Sequence, residues 1–112
     1  RTWGIGMSMH SNSHMGISLA AMTHLAAAVP NLTYACDTHY PWQQDELIVG
    51  GKLQFEDGSL PVPTTPGLGV ELDRDALARM HQQYLDCGLT KRDDETEMQK
   101  IQPGWKYQRP RW

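Results

Sequence analysis

Between residues 2 and 10 bulky apolar side chains alternate with small or polar ones. Trp3, Ile5, Met7 and Met9 fall on one side, Gly4, Gly6, Ser8 and His10 on the other. A period of two is that of a strand. Its unlike faces suit a helix layer on the apolar side and a crowded barrel interior on the other, with His10 at the strand's C-terminal end. Ser11, Asn12 and Ser13 form a natural N-cap cluster, and residues 14–28 place Ile17, Ala20, Ala21, Leu25 and Ala28 at helical spacing before Pro30. Residues 32–40 alternate again, Leu32, Tyr34 and Cys36 against Thr33, Ala35, Asp37 and His39. His39 thus lies near the end of a second strand. Strand, helix and strand in this order predict a right-handed βαβ crossover, the unit of parallel α/β sheets and (β/α) barrels. One unit cannot close a barrel, and a complete TIM barrel takes ~250 residues, so on that architecture most of the barrel is expected to be missing from this chain.

From residue 47 the texture changes. Leu47-Ile48-Val49, Gly50-Gly51, Lys52-Leu53-Gln54-Phe55 and the Asp57-Gly58 turn before Ser59-Leu60 predict short antiparallel strands. Pro61, Pro63 and Pro66 exclude a long central strand. Asp73 is placed to cap a helix running to about Cys87, with Leu77, Met80, Tyr84 and Cys87 as its stripe and Gly88 as its stop. The tail over residues 90–112, charged and then Pro- and Trp-containing, has little periodicity and is expected to wrap over other structure.

Composition narrows the functions. The chain has 112 residues, 21% of them charged and 39% hydrophobic, which fits one ordinary soluble domain at most. Ten Lys and Arg against thirteen Asp and Glu leave a net charge of −3, no footprint for nucleic acid or an anionic membrane. The most apolar stretch, residues 16–29, is too short and too interrupted to span a bilayer. The Arg1-Thr2-Trp3 start carries no secretory signal and reads as the middle of a structure. Cys36 and Cys87 form neither a disulfide framework nor a metal-ligand spacing, which suits a reducing, cytoplasmic setting.

Candidate chemistry begins at His10-Ser11-Asn12, where a barrel strand hands over to the loop on which such barrels build active sites. An imidazole there is either a general base or acid, or a half-buried His bonding backbone. His39 is similarly either a substrate donor or a packing residue. His14 and His24 read as capping or packing side chains, since no third ligand stands in register with them, and His81 as a helix-surface residue. Arg92, within Lys91-Arg92-Asp93-Asp94-Glu95, belongs to a solvated charge run or clamps an acidic substrate bidentately. The methionines are core filler, and Gly50-Gly51 without a following helix is no phosphate loop.

Taken together, His10-Ser11-Asn12-Ser13-His14, Ile17-Ser18-Leu19-Ala20, Thr23-His24 and Ala26-Ala27-Ala28 resemble the late-barrel segment of the glucarate dehydratases of the enolase superfamily. Asp37-Thr38-His39, Trp42-Gln43, Pro66-Gly67-Leu68-Gly69-Val70-Glu71, Arg92-Asp93-Asp94 and Pro103-Gly104-Trp105 continue the likeness in order over nearly the whole chain. The resemblance implies a (β/α)7β barrel with an α+β capping domain, residues 1–42 giving the last barrel strands and residues 43–112 the returning cap segment. It also implies Mg2+-assisted dehydration of D-glucarate to 5-dehydro-4-deoxy-D-glucarate. His10 would be the base next to the substrate carboxylate and then the acid for the departing hydroxyl, and Ser11, Asn12, His39 and Arg92 would be substrate contacts. The family's Lys base, its Mg2+ ligands and the Asp that orients the His match no residue here. These are expected in upstream segments of the enzyme, which would be this chain's main partner, in a possible homo-oligomer. The alternatives are a related aldarate dehydratase or epimerase, and a small non-catalytic module.

Overall fold

The computed structural model describes residues 2–109; Arg1 and the last three residues of the predicted tail lie outside them. In chain order the elements are β1 (His10–Ser11), α1 (Gly16–Ala28), β2 (Asp37–Thr38), a 3-10 turn (Tyr40–Trp42), α2 (Arg74–Cys87) and α3 (Asp94–Ile101). The chain forms two units, one up to Met80 and one from His81, the division falling within α2. No helix among the described residues is long and apolar enough to cross a membrane.

In the first unit β1 and β2 pair in parallel, His10 opposite Asp37 and Ser11 opposite Thr38, with α1 as the connection. The βαβ expectation is met, but both strands are far shorter than their alternation predicts. The preceding segments do run side by side. Met7 N–H donates to the Asn31 carbonyl at 2.9 Å, Tyr34 N–H to Met7 at 3.2 Å and Asp37 N–H to Met9 at 2.9 Å. Regular pairing is reached only at the end, and Gly4, at φ +65°, breaks the extended backbone at the start of the segment. The outer face is also unpacked, with Trp3 84% exposed, and strand geometry depends on such packing. Gly6 is small for a local reason, since a Cβ there would lie 2.5 Å from Thr33 Oγ1 on the adjacent segment.

Helix α1 starts later than the Ser11-Asn12-Ser13 cluster suggested, and none of those residues caps it. Its N-cap is Met15, which has no side-chain cap bond. The Glu46 carboxylate takes that role from a distance, accepting the Gly16 N–H at 2.9 and 3.1 Å. A carboxylate satisfies orphan N–H groups and the helix dipole together, which a local Ser does less well. Leu19 and Ala20 turn inward and, with Tyr40, Ile48 and Ala76, make up the buried apolar core of the described residues.

Beyond the 3-10 turn the predicted short strands reduce to isolated antiparallel bridges, Ile48 with Leu72 and Glu56 with Ser59. Gly50 and Gly51 are both left-handed, at φ +88° and +84°, and turn the chain away before residues 52–55 can pair with 47–49. Residues 71–73 take their place: Val49 N–H donates to Glu71 at 2.9 Å and Asp73 N–H to Leu47 at 2.8 Å. The Asp57-Gly58 turn forms as read, with φ of +48° and +74° as a two-residue hairpin loop requires. So does the cap of α2, where Asp73 Oδ1 accepts from Asp75 and Ala76 N–H at 3.0 and 2.9 Å. Gly88, at φ +65°, follows the helix end.

In the second unit the tail is not featureless, because it contains α3. Asp93 caps this helix through Thr96, accepting from its N–H at 3.1 Å and its hydroxyl at 2.8 Å. Asp94, Glu95 and Glu97 occupy the first turn and Lys100 the last. The helix is specified by its cap and by charges matched to its dipole, so a search for apolar periodicity misses it.

Candidate active site

Parallel pairing in register places side chains of opposed residues on the same face. His10 and Asp37 therefore meet, with Nδ1 2.7 Å from Oδ2. An ionised carboxylate can only accept, so Nδ1 carries the hydrogen and Nε2 of the neutral ring holds the lone pair. Both side chains are about 60% exposed, at 60% and 62%. Nothing among the described residues bonds Nε2, so a base is presented at the open end of the strand pair. His39 stands beside it, edge to face at 6.3 Å between ring centres, and is itself held against Trp42 at 5.3 Å.

The second opposed pair is joined indirectly. His14 Nε2 lies 3.1 Å from Ser11 Oγ and 2.5 Å from Thr38 Oγ1, and the Tyr40 N–H donates to Thr38 Oγ1 at 3.1 Å. Burial lowers the His14 pKa, a trend that Glu46 opposes and His39 reinforces. Behind this loop Tyr40 is fully buried, its ring edge to face with His14 at 6.1 Å. Its hydroxyl donates to Glu46 and accepts from Leu53 N–H at 2.9 Å. Burial and the bond to Glu46 push the phenol pKa up to about 12.

Of the residues singled out in the sequence, His10, Ser11, Asn12 and His39 gather at the C-terminal ends of β1 and β2. Asn12 is exposed, and its carboxamide makes no hydrogen bond among the described residues. Arg92 lies in the second unit, 81% exposed, its Nε donating to Asp94 Oδ1 at 2.5 Å, which raises its pKa. His24 Nε2 donates to the Leu68 carbonyl at 3.1 Å, and His81 is an exposed residue stacked on Tyr84, both as expected. Sequence reasoning missed Asp37 as the partner of His10, His14 as a link and Glu46 as a cap. Only Asp37 left a signal, since its alternation shares a face with His39. A hollow of about 300 Å³ lined by Leu19, Met22, Cys36, Phe55 and Leu60 includes none of the five candidate residues.

Residues 1–76 match the model of the enolase C-terminal domain-like family. Over its whole length the chain is 51% identical to a probable glucarate dehydratase of Streptomyces coelicolor, of which it covers 26%. Over 54% of its length it is 33% identical to a chloromuconate cycloisomerase of Pseudomonas putida, of which it covers 16%. Among solved structures, an enolase of Pseudomonas fluorescens with bound magnesium, potassium and tartrate superposes with a TM-score of 0.86 at 59% identity, over 99% of this chain and 26% of that one. One of Mycobacterium smegmatis complexed with tartrate gives 0.84 at 62% identity, over 99% and 27%. The chain thus spans about a quarter of the length of its full-cover relatives.

Proposed function

The chain belongs to the enolase C-terminal domain-like family, and on that premise we propose that it carries the acid–base histidine and part of the substrate site of a glucarate dehydratase. The observation that supports this most is the His10–Asp37 pair, which leaves Nε2 as a free base at a strand end beside His39. In this reading His10 Nε2 takes the proton from the carbon next to a carboxylate of D-glucarate. The imidazolium then returns a proton to the hydroxyl departing from the neighbouring carbon, which leaves as water, and the resulting enol tautomerises to 5-dehydro-4-deoxy-D-glucarate. Asn12 and His39 contact substrate oxygens, and Ser11 does so with the hydrogen-bonding capacity its bond to His14 leaves over. Arg92 enters as a carboxylate contact on its motif alone.

Magnesium is bound in the Pseudomonas fluorescens relative. Here no group of three or more His, Cys, Asp or Glu among the described residues is placed to hold a metal ion. Asp37 is engaged with His10, and Glu46 with α1 and Tyr40. The residues present do not fit Mg2+. Its ligands would come from the remainder of the enzyme, with residues 1–42 completing its barrel and 43–112 returning to its cap. The partial match to a chloromuconate cycloisomerase shows similarity to an enzyme of another reaction, and the second reading is a related aldarate dehydratase or epimerase.

The test is the full-length enzyme with Mg2+ offered D-glucarate, galactarate and idarate, with keto acid as the readout. Turnover of D-glucarate above the others, and loss of about 10³-fold or more in kcat for His10→Asn, supports the proposal. Preference for another aldarate moves it to the second reading. An active His10→Asn enzyme overturns the assignment of the base.

A further inference from the structure

We infer that His14 is a positioning residue for the His10 site, acting as a staple across the end of the strand pair; this rests on the dehydratase reading only for its kinetic consequence. The regular ladder is two residues long. Beyond it the two segments are joined by separate backbone bonds such as Asp37 N–H to the Met9 carbonyl, so the ends from which His10, Asp37 and His39 project depend on side-chain ties as well. The ladder's opposed positions are tied by side chains on both faces. On one face His10 bonds Asp37 directly at 2.7 Å. On the other, Ser11 and Thr38 are bridged by one atom, His14 Nε2, at 3.1 and 2.5 Å. Each of the bridged residues is the chain neighbour of a member of the pair on the first face. A slip of the two strands therefore cannot loosen one tie without straining the other.

The bridge is itself held. The edge-to-face contact with buried Tyr40 fixes the ring, and the Tyr40 N–H holds Thr38 Oγ1. Nε2 has one in-plane site, an N–H or a lone pair, which the Ser11 and Thr38 hydroxyls share as a three-centre bond, both accepting or both donating according to the tautomer. His14 lies outside α1 and is half-buried, with its Nε2 engaged by Ser11 and Thr38. Misplacement of a catalytic group by about 1 Å costs up to about 100-fold in rate, which sets the scale of the effect.

The experiment compares His14→Phe, which keeps the ring but not Nε2, with His14→Gln, whose amide reaches toward the same hydroxyls, in the full-length enzyme. For His14→Phe, kcat is expected to fall about 10-fold with KM changed less than about twofold, and His14→Gln to recover most of the loss. Amide hydrogen exchange at Asp37, whose N–H bonds Met9, should accelerate about 10-fold in His14→Phe. This readout needs no turnover, so it stands if the enzyme proves to use a different substrate. Unchanged exchange and kcat in His14→Phe, equal loss in both variants, or a rise in KM at constant kcat would each overturn the staple. If His14→Phe fails to fold, Thr38→Val tests the same bridge, with faster Asp37 exchange expected and unchanged exchange overturning it.

Discussion

A histidine acts as a base at neutral pH only if one nitrogen is free and the ring is held still. In the proposed reaction His10 would owe both conditions to Asp37, which accepts from Nδ1 and leaves Nε2 open. Replacing Asp37 by Asn keeps the shape but lets the amide present either its oxygen or its NH2 to the ring, so the wrong tautomer becomes accessible. We expect kcat of the full-length enzyme to fall about 10- to 100-fold, with the thermal midpoint shifting little because both groups are exposed. Steady-state kinetics beside a melting curve check this. A wild-type rate would mean that another group orients His10. The alternation of residues 32–40 put Asp37 and His39 on one face. It did not put Asp37 beside His10, because pairing register between strands is fixed in space and leaves no mark on a single strand.

At the scale of elements, the readable features were those whose cause is local. The Asp73 cap, the Gly88 stop and the Asp57-Gly58 turn each depend on one or two residues with a distinct conformational preference, and each is where the sequence placed it. The start of α1 was misread because its cap is not local. Glu46 lies 30 residues away, and the nearby Ser and Asn residues could only suggest an earlier start. This makes Glu46 a test of the helix. Glu46→Gln removes the charge at the helix N-terminus and sets an NH2 group against either Gly16 N–H or the Tyr40 hydroxyl, at a cost of about 2 kcal/mol in full-length stability. Denaturant titration measures it, and a loss below about 0.5 kcal/mol would mean that water replaces the carboxylate. The same contact gives a pH signature. The Tyr40 phenol is raised from 10.0 to about 12 in the fold, so its neutral form is favoured there. Its stabilising contribution is complete below the unfolded pKa and is lost as pH rises from about 10 through about 12. Tyrosinate absorbance followed through alkaline unfolding should show one late-titrating phenol, moving earlier in Glu46→Gln.

The whole molecule raises the question of what holds it together. Among the described residues the buried apolar side chains are Leu19, Ala20, Tyr40, Ile48 and Ala76, while Trp3, Ile5, Met7 and Tyr34 expose from 47% to 84% of their surface. Only Leu19, Tyr40 and Ile48 among the buried side chains are large, a small core beside so much exposed apolar surface. The exposed apolar side chains of residues 3–7 precede a two-stranded pair with open edges, an invitation to aggregation. The 112-residue chain produced by itself is therefore expected to bind a hydrophobic dye, to unfold without a sharp transition in urea and to leave D-glucarate unchanged with Mg2+ present. In the full-length enzyme the same segment should be protected from hydrogen exchange and the unfolding cooperative. A steep two-state transition with no dye binding from the isolated chain would favour an independent small module, in which His10 and Asp37 form a surface ion pair with no substrate to act on.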